Sequence, residues 1–533
     1  MTHLHLCAAA LLTLLVACSK PSEDVASPKG AAASTEHGAV AWKHAATDAQ
    51  VDAAFAQARQ DGKPLFLYWG AKWCPPCNQL SATLFNRNDF IERSRAFAPV
   101  YIDGDSPGAQ KLGARFKVRG YPTMVVFNAQ GTELTRLPGE VDAEQYTQVL
   151  TLSMNAERPV AAMLSDARAG GKSLSANDWR LLAFYSWETD EQQVIAKDEL
   201  PAVLAQIAAA CPAEHDDASM RLALKALAAT PANGKPAQSD AAMLARVMRL
   251  LGEPTRSRTH MDVLGNHAVD LVRALAAAQT APRGQLLVAL DAALRRFEAD
   301  ATLSRADRLT ALFARVELAR IDAPKDSPAP ALPAPLLAEV REHIARADRE
   351  ITNGYERQAV IPFAGHVLQQ AGLLDESDAL LQANLAKSHS PYYLMSALAS
   401  NAKKRGDKPG ALRWSEQAFE TSVGPATRLQ WGASYVGALV ELAPQDEARI
   451  EKAATRLLEE AATQPDVFYE RSARSLQRVG GRLHAWNKDG AHAAVLARLQ
   501  ARVDALCAAL PAADAQRKVC EGLLKPTTNK GDA

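Results

Sequence analysis

Hydrophobic and polar positions follow two different patterns along the chain. Between residues 46 and 156, short apolar runs that are typical of buried strands alternate with amphipathic stretches of helical period. This order predicts an α/β domain, a central mixed sheet flanked by helices. The predicted elements are a helix at Asp48–Gln60, a strand at Pro64–Trp69, a helix opened by Cys74, a strand at Ala98–Asp103, a helix at Ala109–Phe116, strands at Thr123–Phe127 and Thr132–Arg136, and a helix at Asp142–Ser153.

From residue 157 to residue 533 the pattern has a helical period and shows no strand-like alternation. Proline and glycine interrupt it at intervals that are usual for globular helices. A proline-dense segment at residues 322–335 predicts a linker or a sharp break. The clearest predicted helices are Asn177–Trp187, Gln192–Ala210, Ala241–Leu251, His267–Gln279 and Leu336–Glu350.

Part of this helical region carries a repeat signal. Small and apolar residues across Tyr392–Pro425 fall where tetratricopeptide repeats place them, and Gly372 precedes Gly406 by 34 residues, the period of that family. The region therefore resembles a tetratricopeptide-like α-solenoid, a fold that binds proteins on a concave face. An irregular helical bundle is the alternative.

The first 45 residues predict a targeting segment and a tether. Leu6–Ala17 is too short an apolar run to span a bilayer and matches a secretory signal. The run ends in Leu-Val-Ala-Cys18, which resembles a bacterial lipobox, so residues 1–18 are predicted to be a lipoprotein signal with Cys18 as the lipidated residue. Ser19 after it fits sorting to the outer rather than the inner membrane. A cleaved signal with a coincidental cysteine is the alternative. Residues 19–45 are predicted to be a flexible linker.

Composition narrows the function classes. The 533 residues contain 48% hydrophobic side chains, enough for more than one core. The 60 basic and 60 acidic side chains leave a formal net charge of zero, so no electrostatic capture of nucleic acid is expected.

Two motifs of the α/β domain carry a family resemblance. Trp73-Cys-Pro-Pro-Cys77 lies between a predicted strand and a helix, and Val118-Arg-Gly-Tyr-Pro-Thr123 follows about 45 residues later. Together they resemble the two signature segments of the thioredoxin superfamily. The lead-in from Asp61 to Tyr68 is similar to the C-terminal thioredoxin-like domain of the transmembrane reductant shuttle DsbD.

The resemblance implies a redox-active dithiol. Cys74 would cap the following helix, where the free N–H groups and the macrodipole lower a thiol pKa, and would attack a disulfide. Cys77, one turn later, would resolve the mixed disulfide. Pro75 and Pro76 fall in the first helical turn, where a missing N–H costs least.

Further residues would support this site. Pro122 would be the family's cis-proline, with Tyr121 and Thr123 holding a substrate backbone. Trp73 is predicted to be an exposed aromatic surface for the substrate. At the position where thioredoxins keep a buried acid stands Tyr68, a poor base at neutral pH. Another group or water must then take the proton, or the exchange is slower.

The sequence thus predicts a periplasmic thiol–disulfide oxidoreductase that reduces protein disulfides. It would need a membrane electron donor such as a DsbD-like shuttle, and neither cofactor nor metal is expected. One alternative is an interaction scaffold whose helical array binds partner proteins, with the thioredoxin domain as a redox-sensitive appendage. Others are a disulfide oxidase or isomerase, half of a zinc site at Cys74 and Cys77, and a permanent structural disulfide there.

Three cysteines lie in the helical region. Cys507 and Cys520 flank a helix–proline–helix turn and are predicted to form a structural disulfide in an oxidising compartment. Cys211 would then be an odd, buried thiol. Cys211 and His215 together lack the further ligands that a metal site needs.

Overall fold

The computed structural model describes residues 39–139, 142–190, 193–230, 241–323 and 331–525. The predicted signal with Cys18 lies outside these residues. So do residues 19–38 of the predicted linker and residues 324–330 of the predicted break.

The first region is an α/β domain, as the sequence predicts. Its elements are β1 (Lys43–His44), α1 (Asp48–Asp61), β2 (Leu65–Gly70), α2 (Pro75–Thr83), α3 (Asn88–Arg93), β3 (Ala98–Asp103), α4 (Ala109–Arg115), β4 (Thr123–Phe127), β5 (Glu133–Leu137) and α5 (Ala143–Met154).

These strands form one mixed sheet in the order β1-β3-β2-β4-β5. β2 runs parallel to β3, with Tyr68 opposite Tyr101, and antiparallel to β4, with Trp69 opposite Thr123. All six residues of β2 are buried, which explains why its sequence is continuously apolar. The register brings the end of β2, from which α2 begins, beside the start of β4.

The domain begins earlier than residue 46. Lys43 and His44 pair with Val100 and Tyr101 of β3, and Val40 is buried. Residues 39–45, which the sequence analysis assigns to the linker, therefore belong to the fold. A two-residue strand leaves too little alternation to be recognised from the sequence.

Every regular element described beyond Met154 is helical. These helices are α6 (Val160–Arg168), α7 (Ala176–Ala183), α8 (Leu200–Ala210), α9 (Asp216–Ala229), α10 (Ala241–Gly252), α11 (Pro254–Thr259), α12 (Met261–Asn266), α13 (Ala268–Leu275), α14 (Ala281–Ala299), α15 (Arg305–Leu318), α16 (Ala334–Glu350), α17 (Gly354–Ala371), α18 (Leu374–Asn384), α19 (Tyr392–Lys404), α20 (Lys408–Thr421), α21 (Pro425–Leu442), α22 (Glu447–Ala462), α23 (Glu470–Trp486), α24 (Ala493–Ala508) and α25 (Gln516–Glu521).

The largest boundary difference concerns α8. The sequence predicts a helix over Gln192–Ala210, but α8 begins at Leu200, with Pro201 in its first turn. Proline in a helix interior removes a hydrogen bond and clashes with the preceding turn, so the helix starts where that cost is smallest. Similarly, α13 ends at Leu275, four residues before the predicted end.

Helices α17 to α22 follow one another as packed hairpins. Gly372 and Gly406 both have positive φ, 86° and 77°, at the ends of α17 and α19. These left-handed positions favour glycine and let the chain reverse direction into the next helix at both turns. The 34-residue spacing thus separates equivalent turns; the tetratricopeptide-like assignment itself stays a prediction.

The two faces of the sheet are covered differently. One face packs mainly against α1 and α4, around Leu67, Trp69 and Val100. The other face, with Phe66 and Tyr68, belongs to a core that continues without a break into the helical region, as far as Leu499 and Leu523. The helical region therefore completes the core of the α/β domain on the α2 side.

Candidate active site

The cysteine pair lies at the start of α2. Cys74 is the N-cap residue of α2, and the Cys77 backbone N–H donates to Cys74 Sγ over 3.1 Å. The two residues are joined by a disulfide, with their Cα atoms 5.2 Å apart. A helix N-terminus stabilises negative charge, so the reduced Cys74 is the thiol whose ionisation this position favours.

The surrounding backbone is held in place. Pro75 and Pro76 occupy the first turn of α2, as predicted from the sequence. The buried Asn78 side chain donates to the carbonyl oxygens of Lys72 and Cys74, each over 2.8 Å. Asn78 thus joins the segment before the cysteines to the helix that follows, a role that its position alone does not reveal.

The second motif meets the first at the neighbouring strand. The Tyr121–Pro122 peptide bond is cis, and Thr123 begins β4 with its hydroxyl donating to the Gly120 carbonyl over 3.0 Å. The Tyr121 ring lies edge-on to Trp73, with centroids 5.4 Å apart. Residues that are 48 positions apart in the chain therefore form one site.

Trp73 is not the exposed surface that the sequence analysis predicts. Only 7% of it is exposed. Its ring stacks on Tyr393 of α19 at a centroid distance of 5.7 Å, and the Arg471 guanidinium of α23 lies 4.1 Å from the ring centre. The helical region covers it, which a reading of the α/β domain alone could not foresee.

A carboxyl group shares the sheet face of Tyr68. Burial raises the pKa of the Tyr68 hydroxyl well above its usual value, so this group holds its proton. Asp103, two residues after Tyr101 on the same face, is a carboxyl whose pKa is raised by burial and by the charge of Asp105. Asp103 is thus a buried carboxyl group on the sheet face of Tyr68, the residue that stands where thioredoxins keep a buried acid.

The sequence analysis misses the residues that the helical region adds. Four of them contact Lys72 or Trp73, just before Cys74, and Thr427 contacts Asp105: Gln358, His389, Tyr393 and Arg471 are the four, and all five follow Cys74 by about 280 to 400 residues. No local pattern marks them. Asp105, which Thr427 and Arg471 contact, follows a parallel strand at its carboxyl end, where ligand-binding residues often lie.

The remaining cysteines lie away from this site. Cys507 and Cys520 form a disulfide that joins α24 to α25. Cys211 is a buried free thiol at the end of α8, and burial raises its pKa to about 11. Among the described residues, no three His, Cys, Asp or Glu side chains come together as metal ligands.

An N-capping cysteine, a second cysteine one turn later and a cis-proline at the start of the neighbouring strand agree with the pattern that the sequence analysis expects of a thioredoxin-like fold. The family model described as a thioredoxin-like domain matches residues 51–152. This domain, with its Cys74–Cys77 pair, is homologous to domains of DsbD.

Three particular relatives illustrate the similarity. The thiol:disulfide interchange protein DsbD 1 of Pseudomonas aeruginosa is 34% identical over 106 residues, which are 19% of this chain and 18% of that protein. DsbD of Klebsiella pneumoniae is 29% identical over 141 residues, 26% of this chain and 23% of that protein. Oxidised thioredoxin O1 from Arabidopsis thaliana is 18% identical, covers 21% of this chain and 95% of its own, and has a TM-score of 0.18.

The chain spans about a fifth of the length of the curated relatives that it matches. Within the part of the chain that the structure describes, no helix has the length and apolar character to cross a membrane.

Proposed function

We propose that the chain is a thiol–disulfide oxidoreductase that reduces protein disulfides in the periplasm through Cys74 and Cys77. The observation that carries this proposal is the position of Cys74 at the helix N-cap, with its Sγ 3.1 Å from the Cys77 backbone nitrogen. Trp73, just before Cys74, contacts Tyr121, just before the cis-proline. The similarity to DsbD supports it, since those relatives are named for thiol–disulfide interchange.

The exchange has two steps. The Cys74 thiolate attacks one sulfur of a substrate disulfide, forms a mixed disulfide and releases the other substrate sulfur as a thiolate. Cys77 then loses its proton, with Asp103 as the candidate acceptor, and attacks Cys74 Sγ. This forms the Cys74–Cys77 disulfide and releases the second substrate thiolate. Two electrons pass from the cysteine pair to the substrate.

The other site residues bind and orient. Tyr121 and Thr123, on either side of cis-Pro122, would hold the substrate backbone, while Pro75 and Pro76 stiffen the turn. The pair must be reduced again after each cycle, and a membrane dithiol donor such as a DsbD-like shuttle is the proposed source. Lipidation at Cys18 would anchor the protein, in the outer rather than the inner membrane, by way of the linker.

The burial of the cysteine pair favours a second candidate. Cys74 and Cys77 are 1% and 2% exposed, and helices cover them. In this candidate the helical array, extending from residue 157 to residue 533, is the working part that binds partner proteins. The Cys74–Cys77 disulfide would then respond to the redox state of the compartment or remain permanently oxidised.

The reduction potential of Cys74–Cys77 separates these candidates. The oxidised full chain is equilibrated in defined thiol buffers, and each disulfide is quantified by mass spectrometry. A value near about −270 mV supports the reductant, and a value of about −120 to −180 mV an oxidase or isomerase. If no reversible couple is found, the oxidoreductase proposal is wrong and the helical array is the functional part. The full chain is needed because the domain shares its core with the helical region.

A further inference from the structure

The reactive sulfur is closed off from other proteins. Disulfide exchange requires a third sulfur to approach Cys74 Sγ, yet Cys74 is 1% exposed and its neighbour Trp73 is 7% exposed. Five residues of the helical region contact the segment before Cys74 or the carboxylate of Asp105: Gln358, His389, Tyr393, Thr427 and Arg471. These five residues are called the cover below.

The cover first holds the backbone that leads into Cys74. Helix α17 packs along α2, and the Gln358 side-chain amide donates to the Trp73 carbonyl over 3.1 Å. His389 Nε2 lies 2.9 Å from the Lys72 carbonyl, which can only accept, so the imidazole N–H donates. Burial lowers the pKa of His389, consistent with a neutral ring in this contact.

The cover also encloses the Trp73 ring. Tyr393 stacks on the ring with an angle of 14° between the planes, and the Arg471 guanidinium lies over it. Arg471 also lies 5.7 Å from the centre of the Tyr121 ring, next to the cis-proline. The rings of Trp73 and Tyr121, which would contact a substrate, are therefore covered by residues of the same chain.

One carboxylate joins the two sides. Asp105 accepts from the Trp73 indole N–H within the thioredoxin-like domain. From the helical region it accepts from the Thr427 N–H over 2.9 Å and the Thr427 hydroxyl over 2.5 Å, and Arg471 Nη1 lies 3.4 Å away. Because Asp105 contacts Trp73, Thr427 and Arg471 together, it acts as the latch of the cover.

We propose that the cover is autoinhibitory: the helical region holds the Cys74 site closed, and a partner that binds the open form releases it. This inference rests on the proposed function. Each latch contact is a hydrogen bond or an ion pair that water replaces after opening, so closed and open forms can interconvert. A partner shifts that equilibrium only by the difference between its affinities for the two forms.

The test measures how fast reduced Cys74 is alkylated in the full chain. N-ethylmaleimide is added to the wild type and to the variant Thr427→Val/Arg471→Met, and modification is followed at each cysteine by mass spectrometry. The latch variant is expected to alkylate Cys74 faster, on the order of tenfold. Cys211, a buried thiol elsewhere in the fold, is the internal reference and is expected to keep its rate.

The control is Thr310→Val/Arg456→Met, which makes the same two kinds of change; the Thr310 hydroxyl donates to the Ala306 carbonyl within α15 over 3.1 Å. Arg456 also lies over an aromatic ring, that of Phe419 at 4.6 Å, and pairs with Glu420, but these contacts are within the helical region. This control is expected to leave the Cys74 rate unchanged. If it raises the rate as much as the latch variant does, the effect is general loosening and the proposal is overturned.

Two further results would also overturn the proposal. The first is a wild-type Cys74 that reacts as fast as a peptide thiol, and the second is a latch variant with the wild-type rate. If the double variant is unfolded, so that Cys211 reacts as in urea, the single Thr427→Val variant decides by the same criteria. Alkylation does not require disulfide-exchange activity. A wrong autoinhibition proposal would therefore appear in the alkylation rates, whereas a wrong oxidoreductase proposal would appear in the reduction potential.

Discussion

The two disulfides among the described residues are equally buried but differ in their local surroundings. Cys74 and Cys77 are 1% and 2% exposed, and Cys507 and Cys520 are 3% and 0% exposed. Cys74 caps the N-terminus of α2, whereas Cys507 and Cys520 lie in the last turns of α24 and α25. The N-terminus of a helix stabilises a thiolate and the C-terminus disfavours it. Burial therefore does not distinguish the two cysteine pairs. What distinguishes them is the end of the helix at which each pair lies.

The largest expected effect is on disulfide reduction. Cys74→Ser removes the attacking sulfur, so insulin reduction by the chain that is opened by Thr427→Val/Arg471→Met, supplied with a dithiol donor, should fall to the background rate. Cys507→Ser/Cys520→Ser should keep the rate, because neither sulfur lies at the site. If both variants lost reductase activity equally, the two disulfides would not differ in function and this comparison would be wrong. Circular dichroism checks that both variants fold.

The second effect is on the free energy of unfolding. Here loss of the Cys507–Cys520 disulfide should matter more than loss of Cys74–Cys77, the reverse of the order for disulfide reduction. The Cys507–Cys520 crosslink spans 13 residues, and loss of such a loop constraint costs about 3 kcal/mol by chain entropy. The Cys74–Cys77 crosslink spans three residues and should contribute about 1.6 kcal/mol by the same relation. Hydrogen exchange in α24, α25 and α2 of the Cys507→Ala/Cys520→Ala and Cys74→Ala/Cys77→Ala variants measures both. A larger loss from the shorter loop would contradict this account.

The smallest effect is a shift in a pH profile. Both thiols are buried, so the position of Cys74 at a helix N-terminus is what distinguishes them, and in the reduced chain Cys74 alkylation should reach half of its maximum at a lower pH than Cys211 alkylation. For Cys211, burial raises the pKa to about 11, so its alkylation should still be rising at about pH 10. The thiolate is the reactive form, hence both rates increase with pH. A Cys74 midpoint at or above that of Cys211 would show that the helix position has no such effect.

Strand and helix positions in the thioredoxin-like domain could be predicted closely. The bounds of β3 and β4 are those that the sequence indicates, and α1 differs by one residue at its end. These elements have continuous apolar runs or clear caps, such as Thr47 before α1 and Gly62 after it, which act locally. β1 and the start of α8 could not be predicted as well, because the first depends on pairing with β3 and the second on where Pro201 is tolerated.

The redox chemistry proposed for this protein can be predicted from local sequence alone: two cysteines separated by two residues, placed between a buried strand and a helix, with a Gly-Tyr-Pro-Thr segment about 45 residues later. Local patterns suffice for these features because backbone geometry and apolar periodicity act over a few residues. The tertiary structure is needed to see that the helical region covers Trp73 and that Asp105 contacts Thr427 and Arg471. Contacts between residues more than 300 positions apart depend on how the helices pack over the sheet, and no short stretch of sequence encodes that packing.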